Sequence, residues 1–256
     1  MESSEVPQRK PSRGIYLLPN LFTTGGMFAG FYAIIAAING HFEQAAIAVF
    51  VAGLLDGLDG RIARLTRTQS EFGVQYDSLA DLISFGLAPA LVMYMWSLEL
   101  LKAHGTTMGK VGWSAAFLYA ACAAVRLARF NTQVGSVDKR FFVGLASPAA
   151  AGLMMSFVWT MVDRGVDPAR IAPLALAVTV GAAILMVSRV RYWSFKAAPA
   201  RERVPILWLP LLLGVIVLTT IDPPAVLLGV AVVYTVSGPV MALLGLRQRK
   251  RPSAPD

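Results

Sequence analysis

Cysteine and histidine are nearly missing from these 256 residues, which hold one cysteine, Cys122, and two histidines. A lone cysteine excludes an intramolecular disulfide framework. Charge is scarce as well. Only 15% of the residues are charged, against about 25% in an ordinary soluble domain. With 56% apolar residues, that shortage excludes a soluble globular enzyme, and the apolar content excludes a disordered chain. Internal repeats and low-complexity segments are absent too. The basic residues outnumber the acidic ones, 23 to 15, but they are scattered, which argues against a nucleic-acid surface. What is present in quantity is the long apolar run. The composition predicts an all-α polytopic membrane protein, its excess of positive charge lying in cytoplasmic loops beside anionic lipid.

A spanning helix needs about 20 mostly apolar residues. Eight stretches qualify: Tyr16–Ile38, Phe42–Leu65, Asp77–Leu98, Val111–Phe130, Ala146–Val162, Ile171–Val190, Val204–Ile221 and Ala225–Leu246. The first is too long for a signal-peptide core and lacks a cleavage site after it, so it is expected to be retained. With the N-terminus placed inside, 19 of the 23 basic residues fall on the cytoplasmic side. The opposite face receives only Lys102, Lys110, Arg164 and Arg170. This asymmetry favours eight spans with both ends in the cytoplasm. Residues 1–14 and 247–256 read as polar cytoplasmic tails. Residues 191–203, with Tyr192, Trp193, Phe195 and Lys196, read as an interfacial connector.

Fifteen acidic residues are few, and four of them lie inside expected spans, where carboxylates are costly and point to function. Asp56 and Asp59 are three apart, Asp77 and Asp81 four apart, so each pair shares a helix face. Asp56 lies about 21 Å into the second span from its outer end, and Asp81 about 6 Å into the third. A short cytoplasmic loop joins the two spans. All four carboxylates are therefore expected to converge just under the cytoplasmic interface. Four carboxylates at close range require protonation or bound divalent cations. Oxygen-only ligation without His or Cys suits Mg²⁺ or Mn²⁺ better than zinc. Two such ions would cancel four charges and still attract a pyrophosphate, as in two-metal phosphoryl transfer. Gly57 and Gly60 flank Asp59 and leave room for a packed helix or a phosphate ligand. Arg64 stands one turn beyond Gly60 and can pair with phosphate oxygens.

Plainer readings exist for each feature. Intramembrane aspartates serve as proton relays or interhelical contacts, glycines serve packing, and Arg61, Arg64 and Arg67 serve as topology anchors. A cation-coupled transporter predicts acids near the bilayer midplane and paired repeats or interrupted helices. A non-catalytic membrane scaffold has no use for carboxylates at this spacing.

The stretch from Asp56 to Asp81 reads DGLDGRIARLTRTQSEFGVQYDSLAD. It resembles the signature of the CDP-alcohol phosphotransferase family, D-x2-D-G-x2-A-R-x8-G-x3-D-x3-D. Asp56, Asp59, Gly60, Ala63, Arg64, Gly73, Asp77 and Asp81 fill its eight fixed positions. The wider resemblance covers residues 15–190 as a six-span catalytic core, leaving 191–246 as the connector and two additional spans. It implies an α-helical membrane fold, a homodimer, and transfer of a phosphoalcohol from a CDP-linked donor with release of CMP. It implies that Asp56, Asp59 and Asp77 ligate metal, and that Asp81 ligates the second ion and acts as general base. Gly60, Arg64 and Ser70 would contact the pyrophosphate of CDP-diacylglycerol, with Ala63 and Gly73 in the same segment. Asn20 and Thr23, in LPNLFTTGG, resemble the part that helps bind the nucleotide; an N-cap is the local alternative for Asn20.

Three further stretches resemble the branch of that family whose acceptor is serine: LISFGLAPA at 82–90, RLARFN at 126–131 and FVGLASPAAAG at 142–152. Leu82 stands where the glycerophosphate-transferring branch carries lysine. Serine is a zwitterion whose carboxylate needs a partner, and Arg126, Arg129 and Asn131 lie at a suitable depth; snorkelling anchors are the alternative for the two arginines. Inositol phosphate, glycerol 3-phosphate and choline remain alternative acceptors. In the expected reaction, CDP-diacylglycerol arrives laterally from the inner leaflet. Asp81 takes the proton of the serine hydroxyl as that oxygen attacks phosphorus.

Overall fold

Apolar segments can satisfy their backbone in lipid only within themselves, and this chain does so with helices. The computed structural model describes residues 17–66, 70–132, 141–193, 213 and 217–249. Its helices are α1 (Leu17–Ile38), α2 (Phe42–Leu65), α3 (Glu71–Asp81), α4 (Ala88–Trp96), α5 (Thr106–Thr132), α6 (Ser147–Asp163), α7 (Ala172–Val187) and α8 (Pro223–Arg249). A π-helical segment, Leu82–Leu87, joins α3 to α4, and a 3₁₀ helix, Leu98–His104, follows α4. Leu18–Ile38, Glu71–His104, Thr106–Thr132 and Pro223–Leu244 are long and apolar enough to cross a membrane. α2 has 24 residues, but its carboxylates and arginines dilute its hydropathy. The expected all-α membrane bundle is the observed architecture. The N-terminal tail, Arg67, the connector beyond Trp193, most of the expected seventh span and the last seven residues lie outside the described residues.

Small residues bring the helices close. Ala29, Ala33, Ala36 and Ala37 of α1 are buried, as are Ala45, Val49 and Ala52 of α2. Stripes of this kind allow close backbone approach where lipid gives no hydrophobic drive for association. At Gly30, α1 meets the π segment so closely that an added Cβ would sit 2.7 Å from Ser84 Cα. Ser84 Oγ donates to the Gly26 carbonyl at 3.1 Å, fixing the crossing. α6 is buried along most of its length, from Ser147 to Thr160, and forms the centre of the bundle.

Two prolines are matched by buried tyrosines. Pro89 has no N–H for the Phe85 carbonyl four residues before it, and Tyr119 OH donates to that carbonyl at 3.1 Å. Pro239 likewise leaves the Thr235 carbonyl without its helical donor, and Tyr192 OH donates there at 3.1 Å. In each case the missing helical bond becomes an interhelical one.

Two expectations are corrected. The third span begins at Glu71, not Asp77. Ser70 caps the helix, its Oγ accepting from Gly73 N at 3.0 Å. Asp77 is therefore about 9 Å along α3 rather than at its start. The second correction concerns Tyr192. Expected on the surface of a connector, it is wholly buried inside the protein, in a three-residue strand, β2 (Arg191–Trp193). This strand pairs antiparallel with β1 (Phe141–Val143), Phe142 opposite Tyr192.

Candidate active site

The carboxylates lie where α1, α2 and α3 meet. Oxygen atoms of Asp56, Asp59 and Asp77 come within 4.8 Å of one another. Asp59 is buried, and Asp56 and Asp77 are half-buried. Asp81 lines the same small cavity, together with Thr23, Ser84 and Phe85. Its carboxyl is within hydrogen-bonding reach of Asp56 but outside the three-oxygen cluster. The structure thus separates the four expected carboxylates into three plus one. The donor set is carboxylate oxygen throughout, which fits a hard divalent cation.

Thr23 reaches into this cluster from α1. It is buried, and its Oγ1 donates to Asp59 Oδ2 at 2.7 Å. Asn20 lies in the first turn of α1, so it does not cap the helix. Its Oδ1 is 3.7 Å from the position of a Cβ on Gly73, which places its amide over the start of α3. Thr24 and Tyr76, which sequence reasoning passed over, join the same two helices through their hydroxyls at 2.8 Å. Thr24 lies in the LPNLFTTGG stretch and Tyr76 at a variable position of the signature, so neither stood out by itself.

A family model for CDP-alcohol phosphatidyltransferase matches residues 16–190. The chain belongs to this family. It is a family of transferases, and this member is a multi-pass membrane enzyme. Two Helicobacter pylori proteins named CDP-diacylglycerol–serine O-phosphatidyltransferase are similar throughout. One is 36% identical over 88% of this chain and 91% of its own length. The other is 34% identical over 95% of this chain and 100% of its own length. A Bacillus subtilis protein of the same name is 29% identical over 72% of this chain and 94% of its own.

Other expected site residues of this family member fall in distinct places. Gly60 lies on the exposed side of α2, and a Cβ on it, or on Gly57, would meet no heavy atom within 4 Å. Among the described residues, neither glycine serves helix packing. Ala63 is half-buried in the next turn, and Arg64 is exposed, with its Nε donating to the Gly60 carbonyl at 2.8 Å. Ser70 and Gly73 meet as helix cap and capped N–H. Asn131 exchanges hydrogen bonds with Ser78 of α3 at 2.9 and 3.3 Å, which commits its amide to joining α5 and α3. Arg129 is half-buried, without a described side-chain partner that would link it to the carboxylates.

Arg126 is better placed. Its Nη1 donates to the buried Ser147 Oγ at 2.8 Å. The guanidinium lies within electrostatic reach of Asp81. Its Nε is closed off from solvent with no hydrogen-bond partner among the described residues. A buried cationic donor without an acceptor is costly. It is therefore a natural contact for an anionic group bound beside Asp81.

Proposed function

We propose that this enzyme transfers the phosphatidyl group of CDP-diacylglycerol to the hydroxyl of L-serine, giving phosphatidylserine and CMP. The observation that carries the reading is similarity over nearly the whole chain to two proteins named for that reaction. The site supports it. CDP-diacylglycerol would lie along the exposed side of α2, its pyrophosphate near Gly60, Arg64 and Ser70, with Ala63 and Gly73 in the same segment, and its nucleotide toward Asn20 and Thr23. Asp56, Asp59 and Asp77 would hold Mg²⁺ or Mn²⁺, and Asp81 would complete the site for a second ion. Divalent ions bound there would supply Lewis-acid polarisation of the phosphates and charge for the leaving oxygen.

The protein's own groups would do the rest. Asp81 takes the proton from the serine hydroxyl, whose oxygen forms the new bond to the phosphorus bearing diacylglycerol. The bond from that phosphorus to CMP breaks, and Arg64 offsets the charge on the departing phosphate. Arg126 holds the serine carboxylate, with Arg129 and Asn131 at the edge of that compartment. The excess of basic residues on one side supports a site and both termini at the cytoplasmic face of the cell membrane. The resemblance carries with it a homodimer, a catalytic core over 15–190 and an accessory unit over 191–246.

The test is CMP release from the purified full chain with CDP-diacylglycerol and Mn²⁺ or Mg²⁺, with serine, glycerol 3-phosphate, inositol phosphate and choline in parallel. Release with serine alone is expected. Release with another acceptor and not serine would retract the acceptor while keeping the chemistry.

Two variants probe the site around this reaction. Thr23→Val removes the hydroxyl that orients Asp59 and nothing else of size. It is expected to raise the Mn²⁺ concentration for half-maximal activity by about 10–100-fold, as loss of a group that orients a metal ligand does. Gly60→Ala is expected to leave thermal stability unchanged or slightly higher, since alanine favours helix by about 1 kcal/mol. The same methyl stands where the donor's phosphates approach the backbone. The KM for CDP-diacylglycerol should therefore rise about tenfold. An unchanged KM would remove Gly60 from the donor site.

A further inference from the structure

The end of the bundle away from the carboxylates carries a second cleft. α5 joins the two ends. Its last turn meets Ser78 of α3 through Asn131, and its first turn lies at the far end. With 27 residues it is about 40 Å long, the thickness of a bilayer with its headgroup layers. Exposed Trp113, near its start, is a side chain of the kind that sits at headgroup level. Between this part of α5 and the first half of α7 lies a groove of about 380 Å³, open to the surface. Lys110 lines it, about 24 Å along α5 from Arg126, so the groove is separate from the catalytic centre.

The groove is polar at its mouth and apolar beneath. Thr107, Lys110 and Ser114 share one face of α5. Leu118, further along that face, and Leu176 and Val180 of α7 line the deeper part. The three polar side chains are uncommitted. Of the other basic residues at this end of the bundle, Lys102 pairs with Glu99, Arg164 with Asp222 at 3.4 Å and Arg170 with Asp167 at 3.7 Å. Lys110 has no ion pair or hydrogen bond among the described residues. The two hydroxyls stand apart in the same way. Thr23, Thr24, Thr160 and Thr179 each donate to the carbonyl four residues before, as helical hydroxyls commonly do. Among the described residues, Thr107 and Ser114 donate to none. One cation and two free hydroxyls above an apolar wall complement an anionic headgroup above an acyl chain. A second copy of this chain fits less well, because the groove has no carboxylate to answer its own Lys110 across a twofold axis.

We infer that this groove binds an anionic glycerophospholipid of the leaflet opposite the active site, its phosphate on Lys110, Thr107 and Ser114 and an acyl chain along Leu118, Leu176 and Val180. The inference does not depend on which acceptor the enzyme uses.

The experiment is a lipid titration of the purified full chain in detergent, read by native mass spectrometry, with dioleoyl phosphatidylglycerol against dioleoyl phosphatidylcholine. Wild type is expected to hold one phosphatidylglycerol per chain about fivefold more tightly than phosphatidylcholine, the worth of one well-placed lysine at a lipid phosphate. Lys110→Gln should abolish that preference. Lys102→Gln, which removes a neighbouring cation already paired with Glu99, should keep it. Leu118→Trp, at an exposed position, fills the apolar part and should weaken phosphatidylglycerol by a similar factor with Lys110 in place. CMP release by Lys110→Gln should keep its KM for CDP-diacylglycerol within about twofold of wild type, which separates this lipid from the donor. Absence of a preference in wild type overturns the inference. Equal losses in Lys110→Gln and Lys102→Gln overturn it as well, since general surface charge would then be the cause. A dimer that Lys110→Gln or Leu118→Trp dissociates, with no lipid counted in wild type, would give the groove to a second copy instead.

Discussion

Replacing Asp81 by asparagine is expected to give an enzyme that binds CDP-diacylglycerol and releases no measurable CMP, a fall of at least about 10³-fold in kcat. The reason is positional. Asp56, Asp59 and Asp77 offer oxygens within 4.8 Å of one another, and Asp81 stands beside that cluster rather than in it. It occupies the last residue of α3, where the backbone changes to the π segment, with the Arg126 guanidinium within electrostatic reach. A general base needs to be within about 3 Å of the proton it removes, directly or through one water. The ground between the metal-type cluster and the buried arginine is where an acceptor hydroxyl would have to lie. Asparagine has nearly the same shape and cannot take that proton. The matching expectation is a contrast. Asp59→Asn should raise the divalent-ion requirement steeply, whereas Asp81→Asn, which leaves the three-carboxylate cluster whole, should raise it less and keep donor binding. Turnover persisting in Asp81→Asn would sink the base assignment. A loss of metal affinity equal to that of Asp59→Asn would recast Asp81 as a ligand only.

How far such a site can be read in advance depends on the range of the interactions that make it. The bounds of α2 were legible because its apolar run starts after Gly40–His41 and its basic end marks the interface. The spacing of the aspartates was legible because helix periodicity is local. The start of α3 was not, since Glu71, Gln75, Asp77 and Ser78 are polar and a hydropathy window passes over them. Its signal was the Ser70 cap, three residues before a glycine N–H. The division of the four carboxylates into three plus one arises from packing across α1, α2 and α3, which no spacing encodes. Asn131 shows the same limit. Beside two arginines it read as an acceptor contact; its hydrogen bond to Ser78, 53 residues earlier, was not legible. Tyr192 was read as interfacial from its basic neighbours. Its burial is decided by Gly238 and Pro239, more than 40 residues away. The prolines themselves were visible as helical positions with a missing donor; which hydroxyl answers them was not.

Gly144→Ala is expected to be among the most damaging conservative substitutions in the chain. Gly144 has φ +84°, a left-handed conformation that costs an L-residue about 1–2 kcal/mol. Beyond that strain, its Cβ would stand 2.3 Å from the Met186 carbonyl oxygen and 3.2 Å from that of Ser188. Both are backbone atoms at the end of α7, so neither can swing aside as a side chain would. Two hydrogen bonds hold them against the segment, Gly144 N to the Val190 carbonyl at 2.8 Å and Leu145 N to the Leu185 carbonyl at 2.9 Å. Relieving the clash means parting α7 from the entry to α6, and the first residue of α6 is the serine that accepts from Arg126. Stability should fall by at least about 3 kcal/mol, with acceptor affinity lost in whatever fraction stays folded. Gly40→Ala is the control. Gly40 also has positive φ, +77°, but its Cβ would meet nothing within 4 Å. It should show only the conformational cost, about 1–2 kcal/mol. Thermal unfolding of both variants in detergent, followed by CMP release from the surviving protein, separates the two contributions. Equal midpoints for the two would mean that α7 yields freely at Met186 and that the junction with α6 does not depend on a close backbone contact.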